Sequence, residues 1–284
     1  MYCLFKDAPP LCTRRGCARR LKMHLLCVLG VAALASVGVT AASIKPKRGW
    51  VADGCTGSSC TDPQLLGNLG WYYDYNVADP FGDEATASER FAPMHWCLST
   101  LNSTVPRYVN TTYMLGFNEP NNVHNCNRPA SDVAAAWGQV MQQWPHSQLV
   151  SPATAGDGTA FFDEFFAACK TFFGASGCRI SYVAIHDYSC TASKTMAYID
   201  SIYKRYGYPV WLTEFSCGDG AAGKPTSAHL AYMKEIVPQL DAAPHVYRYA
   251  WMSGRDSHGL RGLVEVGAGG TAKLTQLGQV YASL

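Results

Sequence analysis

Two glutamates each sit at the end of a short apolar run: Glu119 in G-F-N-E-P and Glu214 in W-L-T-E-F. Pro120 disfavours helical geometry at Glu119 and should hold it extended at a strand tip. Successive strand residues point to opposite faces, so Asn118 and Glu119 reach one site together only if the tip kinks. Val210, Leu212 and Glu214 share a face by period two, which puts Glu214 over a barrel interior when that face is inward. Alone, each glutamate would read as a surface or ion-pair residue. Together they fit displacement at an acetal carbon, which uses one protonated carboxyl and one ionised carboxylate. Two carboxylates held close together cannot both ionise cheaply. Glu119, taken as the more desolvated, is expected to have the higher pKa and to supply the proton.

The residues near them suit a sugar. Trp71, Tyr73, Trp96, His186, Tyr188 and Trp251 fall at the ends of apolar runs with Asn118. Flat rings stack on the C–H faces of a pyranose, and polar groups meet its hydroxyls. For Trp71 and Trp96, a platform and barrel packing are equally good readings.

These residues need a scaffold that converges strand tips. Eight apolar or aromatic runs recur, near 48–52, 70–75, 91–96, 113–118, 148–153, 180–187, 209–215 and 246–252. Amphipathic helices are expected at about 130–144, 160–173, 193–206 and 227–241, with a terminal one near 274–284 and at most a short helix in 79–90. Alternating strands and helices in this length, with no GxGxxG turn after the first run, predict an α/β fold: a single (β/α)8 TIM barrel with its chemistry at the carboxyl ends of the strands.

The chain has 284 residues. Residues 1–42 carry Arg14, Arg15, Arg19, Arg20 and Lys22, an apolar run from Leu25 to Val39, and small residues at Thr40 to Ala42. That order reads as a secretory signal or signal anchor, with Met23 a second possible start, and residues 43–284 read as the catalytic domain. Without 1–42, 17 Lys+Arg face 20 Asp+Glu, so no basic footprint for nucleic acid remains. No membrane contact is expected beyond the leader. A monomer with no cofactor is expected, and no metal site, because HExxH and zinc-finger spacings are missing. Asn102 and Asn110 are glycosylation sequons, and a glycan at Asn110 should project from the face opposite the site.

Eight cysteines follow residue 42. Loops after neighbouring strands lie within reach of a bridge, so the expected pairs are Cys55 with Cys60, Cys97 with Cys126, Cys169 with Cys178, and Cys190 with Cys217.

The blocks K-R-G-W (47–50), W-Y-Y (71–73), P-M-H-W (93–96), L-G-F-N-E-P (115–120), S-P-A (151–153), H-D-Y (186–188), P-V-W-L-T-E-F (209–215) and Y-A-W (249–251) resemble glycoside hydrolase family 128. The characterised members of that family are retaining endo-β-1,3-glucanases. The resemblance covers nearly all of residues 43–284. It implies Glu119 as acid/base, Glu214 as nucleophile and Asn118 on the sugar 2-hydroxyl. His186 and Tyr188 would bind sugar or orient the nucleophile, and Trp251 would form part of the sugar platform. The chain departs from the family at Asp74 and Tyr75, where an Asn-Trp pair is common, and in its cysteines. The implied partner is a β-glucan, met after secretion or at the cell wall. The alternatives are a non-catalytic glucan-binding wall protein, and a glycosidase of another β-glucan linkage.

Overall fold

The computed structural model describes residues 43–82, 90–104, 106, 112–218, 223–256, 259–267 and 270–284. The leader and the sequon at Asn110 lie outside these residues. The described part belongs to the unit Ala42–Leu284.

The apolar runs become parallel strands whose side chains are covered on both faces, which is why they lack a clean polar alternation. In chain order these are β1 (Lys45–Val51), β2 (Leu69–Tyr73), β3 (Tyr113–Leu115), β4 (Gln148–Thr154), β5 (Tyr182–Asp187), β6 (Val210–Phe215) and β7 (Val246–Trp251). They form one sheet in the order β2-β1-β7-β6-β5-β4-β3. Phe91 bridges in parallel to Tyr72, and Met94 to Leu115, so segment 91–94 fills the gap between β2 and β3 and closes the barrel. Pro93 lacks an N–H, which helps explain why this eighth stave pairs only at isolated positions instead of as a full strand. The fold is a (β/α)8 barrel, as expected.

The helices that pack outside the barrel are α1 (Asp62–Leu65), α2 (Ala130–Gln143), α3 (Thr159–Phe173), α4 (Ala192–Tyr206), α5 (Thr226–Ala242) and α6 (Gln276–Ser283). In α2, Ala130, Val133, Ala134, Trp137 and Val140 are buried at helical spacing, giving one stripe against the strands. α4 stops at Gly207, which takes the left-handed conformation and donates its N–H to the Tyr203 carbonyl. A short antiparallel hairpin, β8 (Val264–Val266) with β9 (Ala272–Leu274), precedes α6; three-residue strands are too brief to show a period in sequence.

Inside the barrel, Trp71 and Trp211 meet at 4.8 Å between ring centroids, and the Arg248 guanidinium lies over Tyr113, Trp211 and Trp71 at 4.4, 5.1 and 5.6 Å. β3 comes so close to β4 that a Cβ on Gly116 would sit 2.6 Å from the Pro152 nitrogen, so only glycine fits. All four expected cysteine pairs are bridged: Cys55–Cys60, Cys97–Cys126, Cys169–Cys178 and Cys190–Cys217, with Cα separations of 6.0, 5.2, 5.1 and 4.3 Å.

The period-two expectation for β6 needs correcting. Val210 and Leu212 pack outward into the layer beneath the helices. The register against β5 shifts, pairing Ile185 with Leu212 but His186 with Glu214. That irregularity, and not the simple alternation, turns Glu214 into the mouth.

Candidate active site

Glu119 also reaches the mouth through a kink. Its N–H bonds the Ala153 carbonyl at 2.8 Å, Asn118 bridges to Ala153, and the backbone at Glu119 has φ of 45°. It is therefore left-handed and not extended as expected. The proline disfavours the right-handed helical region, and the bend it leaves open lets Asn118 and Glu119 share one site. The two residues are only 4% and 6% exposed.

Glu119 and Glu214 face each other with His186 between them. One donor atom from each of the three lies within 4.8 Å of the other two. His186 Nδ1 is 2.7 Å from Glu119 Oε1 and 3.4 Å from Glu214 Oε2. The loop after β3 folds back so that the amides of Asn122 and Asn125 donate to Glu119 Oε2 at 2.7 and 2.5 Å. Burial pushes the Glu119 carboxyl up. The contact with His186, followed by the two amides, outweighs that and holds it below the ordinary carboxylate range. The expectation of a raised Glu119 is thus overturned, because these hydrogen bonds favour the ionised form.

On Glu214, Tyr188 donates to Oε2 and Tyr75 to Oε1 at 2.8 Å, while Tyr73 stands 3.3 Å from Oε1 and 3.1 Å from the Thr213 carbonyl. A cleft of about 240 Å³ opens above the pair, walled by Trp96, Tyr75, Asn118, Asn125, Tyr188 and Met252. Asn118 Nδ2 leans on Asn125, and its buried Oδ1 has no partner among the described residues, leaving an acceptor at the cleft wall. A larger cavity, about 470 Å³, lies by Asp53, Arg255 and the β8–β9 hairpin. The smaller cleft is the better candidate, because the paired glutamates line it, with His186 buried between them.

Three expected contacts are placed elsewhere. Trp71 is fully buried in the barrel interior, with its indole N–H on the Lys47 carbonyl, so it is packing and not a platform. Trp251 is also fully buried, on the outer face of β7, packed on Phe215 and donating to the Arg261 carbonyl at 2.8 Å. Alternation along β7 turns it away from the mouth, and Met252 lines the cleft instead. Tyr73 lies beneath Glu214, out of reach of substrate. Trp96 is the half-buried tryptophan in the cleft wall.

Tyr75, Asn122, Asn125 and Met252 were not picked out as site residues from sequence. A signal for the asparagines was present: amides three and six residues beyond a strand-tip glutamate, in a loop closed by Cys126, can fold back onto its carboxylate. Among the described residues, the two groupings that could hold a cation are Glu119, His186 and Glu214, and Cys55, Cys60 and Asp62, whose cysteines are already bridged.

The glycosyl hydrolase catalytic core model matches residues 50–281. The chain belongs to that family. A β-1,3-glucanase of family 128, subgroup II, from Pseudomonas viridiflava is similar to it, at 28% identity and TM-score 0.68 over 84% of this chain and 97% of that one. A subgroup I endo-β-1,3-glucanase from Amycolatopsis mediterranei, with laminarihexaose bound, is similar at 24% identity and TM-score 0.71 over 84% and 99%. The sequence also resembles the alkali-sensitive linkage protein 1 of Schizosaccharomyces pombe, 26% identical over 85% of this chain and 45% of that protein. The chain thus spans less than half the length of that curated relative.

Proposed function

We propose that this hydrolase is an endo-acting β-1,3-glucanase that works with retention, with Glu214 as nucleophile and Glu119 as acid/base. The observation that carries the proposal is the approach of the two carboxyl groups, with oxygens within 4.8 Å. Direct attack needs carboxyl groups about 5 to 5.5 Å apart, whereas a water-mediated inverting reaction needs about 6.5 to 9.5 Å. The laminari-oligosaccharide bound to the Amycolatopsis relative supports a β-1,3-linked glucan as substrate.

A glucan chain in the cleft would stack on Trp96 and give a hydroxyl to Asn118 Oδ1. Glu214 attacks the anomeric carbon while Glu119 gives its proton to the departing oxygen. Water then attacks the glycosyl-enzyme as Glu119 takes its proton back. The amides of Asn122 and Asn125 suit the second step, since they hold Glu119 ionised. For the first step Glu119 must be protonated, and a sugar that excludes water from the cleft raises its pKa towards that state. Four disulfides support a folding route through an oxidising compartment and a secreted or wall location. The exposure of Asn102 supports it as a glycosylation site.

Incubating the protein with laminarin and sizing the products tests the reading. A ladder of laminari-oligosaccharides is expected; glucose alone would make the action exo, and no new reducing ends would leave a non-catalytic binding protein.

A further inference from the structure

Tyr75 stands two residues beyond β2, and its backbone has φ of 68°, a region that tyrosine rarely occupies. Strain of this kind persists only where surrounding contacts hold it, and here they centre on Glu214. The ring stands edge-on to Tyr73 at 5.3 Å between centroids, and the phenol reaches Glu214 Oε1 at 2.8 Å and Met252 Sδ at 3.5 Å. Tyr73 has one proton to share between the Thr213 carbonyl and Oε1, so Tyr75 is the principal donor to Oε1, while Tyr188 serves Oε2.

We infer that Tyr75 is a positioning residue for Glu214, whose hydrogen bond favours release of the sugar from the enzyme over its capture. This rests on the reading of Glu214 as nucleophile. In the first step a Glu214 oxygen bonds the anomeric carbon, the bond to the departing chain breaks, and the Glu119 proton goes to the departing oxygen. The carboxylate charge disappears into an ester. In the second step the water oxygen bonds the same carbon and its proton goes to Glu119. The ester C–O bond breaks, and its electron pair returns to Glu214 as charge. A phenol bonds a charged carboxylate more strongly than a neutral ester oxygen. Tyr75 therefore stabilises the state that release restores and that capture consumes. Burial, and then the charge of Glu214, hold its phenol well above the ordinary tyrosine range, so it keeps its proton and donates throughout.

The test is Tyr75→Phe, which keeps the ring and removes only the hydroxyl, assayed with an aryl β-laminaribioside carrying a good leaving group. Expected is a kcat about 10-fold to 100-fold lower, a KM that falls with it, and kcat/KM nearly unchanged. Intact-protein mass spectrometry of the quenched variant should show a laminaribiosyl adduct. Unchanged kcat overturns the inference, as does a fall in kcat and kcat/KM together without an adduct. Absence of turnover by the wild-type enzyme removes the nucleophile reading itself, and this inference with it.

Discussion

Asn125 donates its side-chain amide to Glu119 Oε2 across 2.5 Å, and Asn118 leans on Asn125 in turn. The bond favours the carboxylate, so Glu119 titrates below its ordinary range. With Glu119 as the proposed acid, the first step needs it protonated, and that fraction falls as pH rises past its pKa. The basic limb of kcat/KM in the wild type should therefore fall early. Asn125→Ala removes a donor to the charged form and raises the pKa, so the basic limb should move to higher pH by about one to two units. A limb that stays put or moves lower would contradict this.

The carboxylates should separate by rescue chemistry. Glu214→Ala should lose essentially all turnover, and azide should give the inverted glycosyl azide. Glu119→Ala should still release a good leaving group in the first step, and azide should then give a product of retained configuration. Normal turnover by Glu214→Ala would remove the assignment.

The tryptophans should divide by role. Trp71 fills the barrel interior, so Trp71→Ala should cost about 3 to 5 kcal/mol of stability. Trp96→Ala, at the cleft wall, should change stability far less and raise KM for laminari-oligosaccharides. Denaturant titration beside steady-state kinetics reads both. Equal stability losses with unchanged KM would undo the division.

Cys97–Cys126 closes the loop that carries Asn122 and Asn125. Replacing both cysteines with Ala should lower stability by about 2 to 4 kcal/mol and shift the basic limb upward in the same direction as Asn125→Ala. A stability loss with an unmoved pH profile would show that the bridge braces the fold but not the acid/base.

Much of this arrangement is legible in sequence because single-element rules decide it. The stripe from Ala130 to Val140 follows the helical period, Gly207 marks a stop, and cysteines after adjacent strands pair as neighbours. What escaped depends on irregularities that no period encodes. The register shift beside Leu212 decides that Glu214 faces inward. Plain alternation hides Trp251, although its motif sits at a strand tip. The lowered Glu119 follows from amides that a loop folds back, and desolvation alone gave the opposite sign. Tyr75 enters the site through a left-handed backbone that a tyrosine does not advertise.

The approach of Glu119 and Glu214 is tested most directly by the configuration of the first product. Proton NMR of laminarin hydrolysis, recorded before mutarotation equilibrates the anomers, should show the β-anomer of the new reducing end appearing first and the α-anomer only later. An α-anomer formed first would require a water between the carboxylates and would contradict direct attack by Glu214.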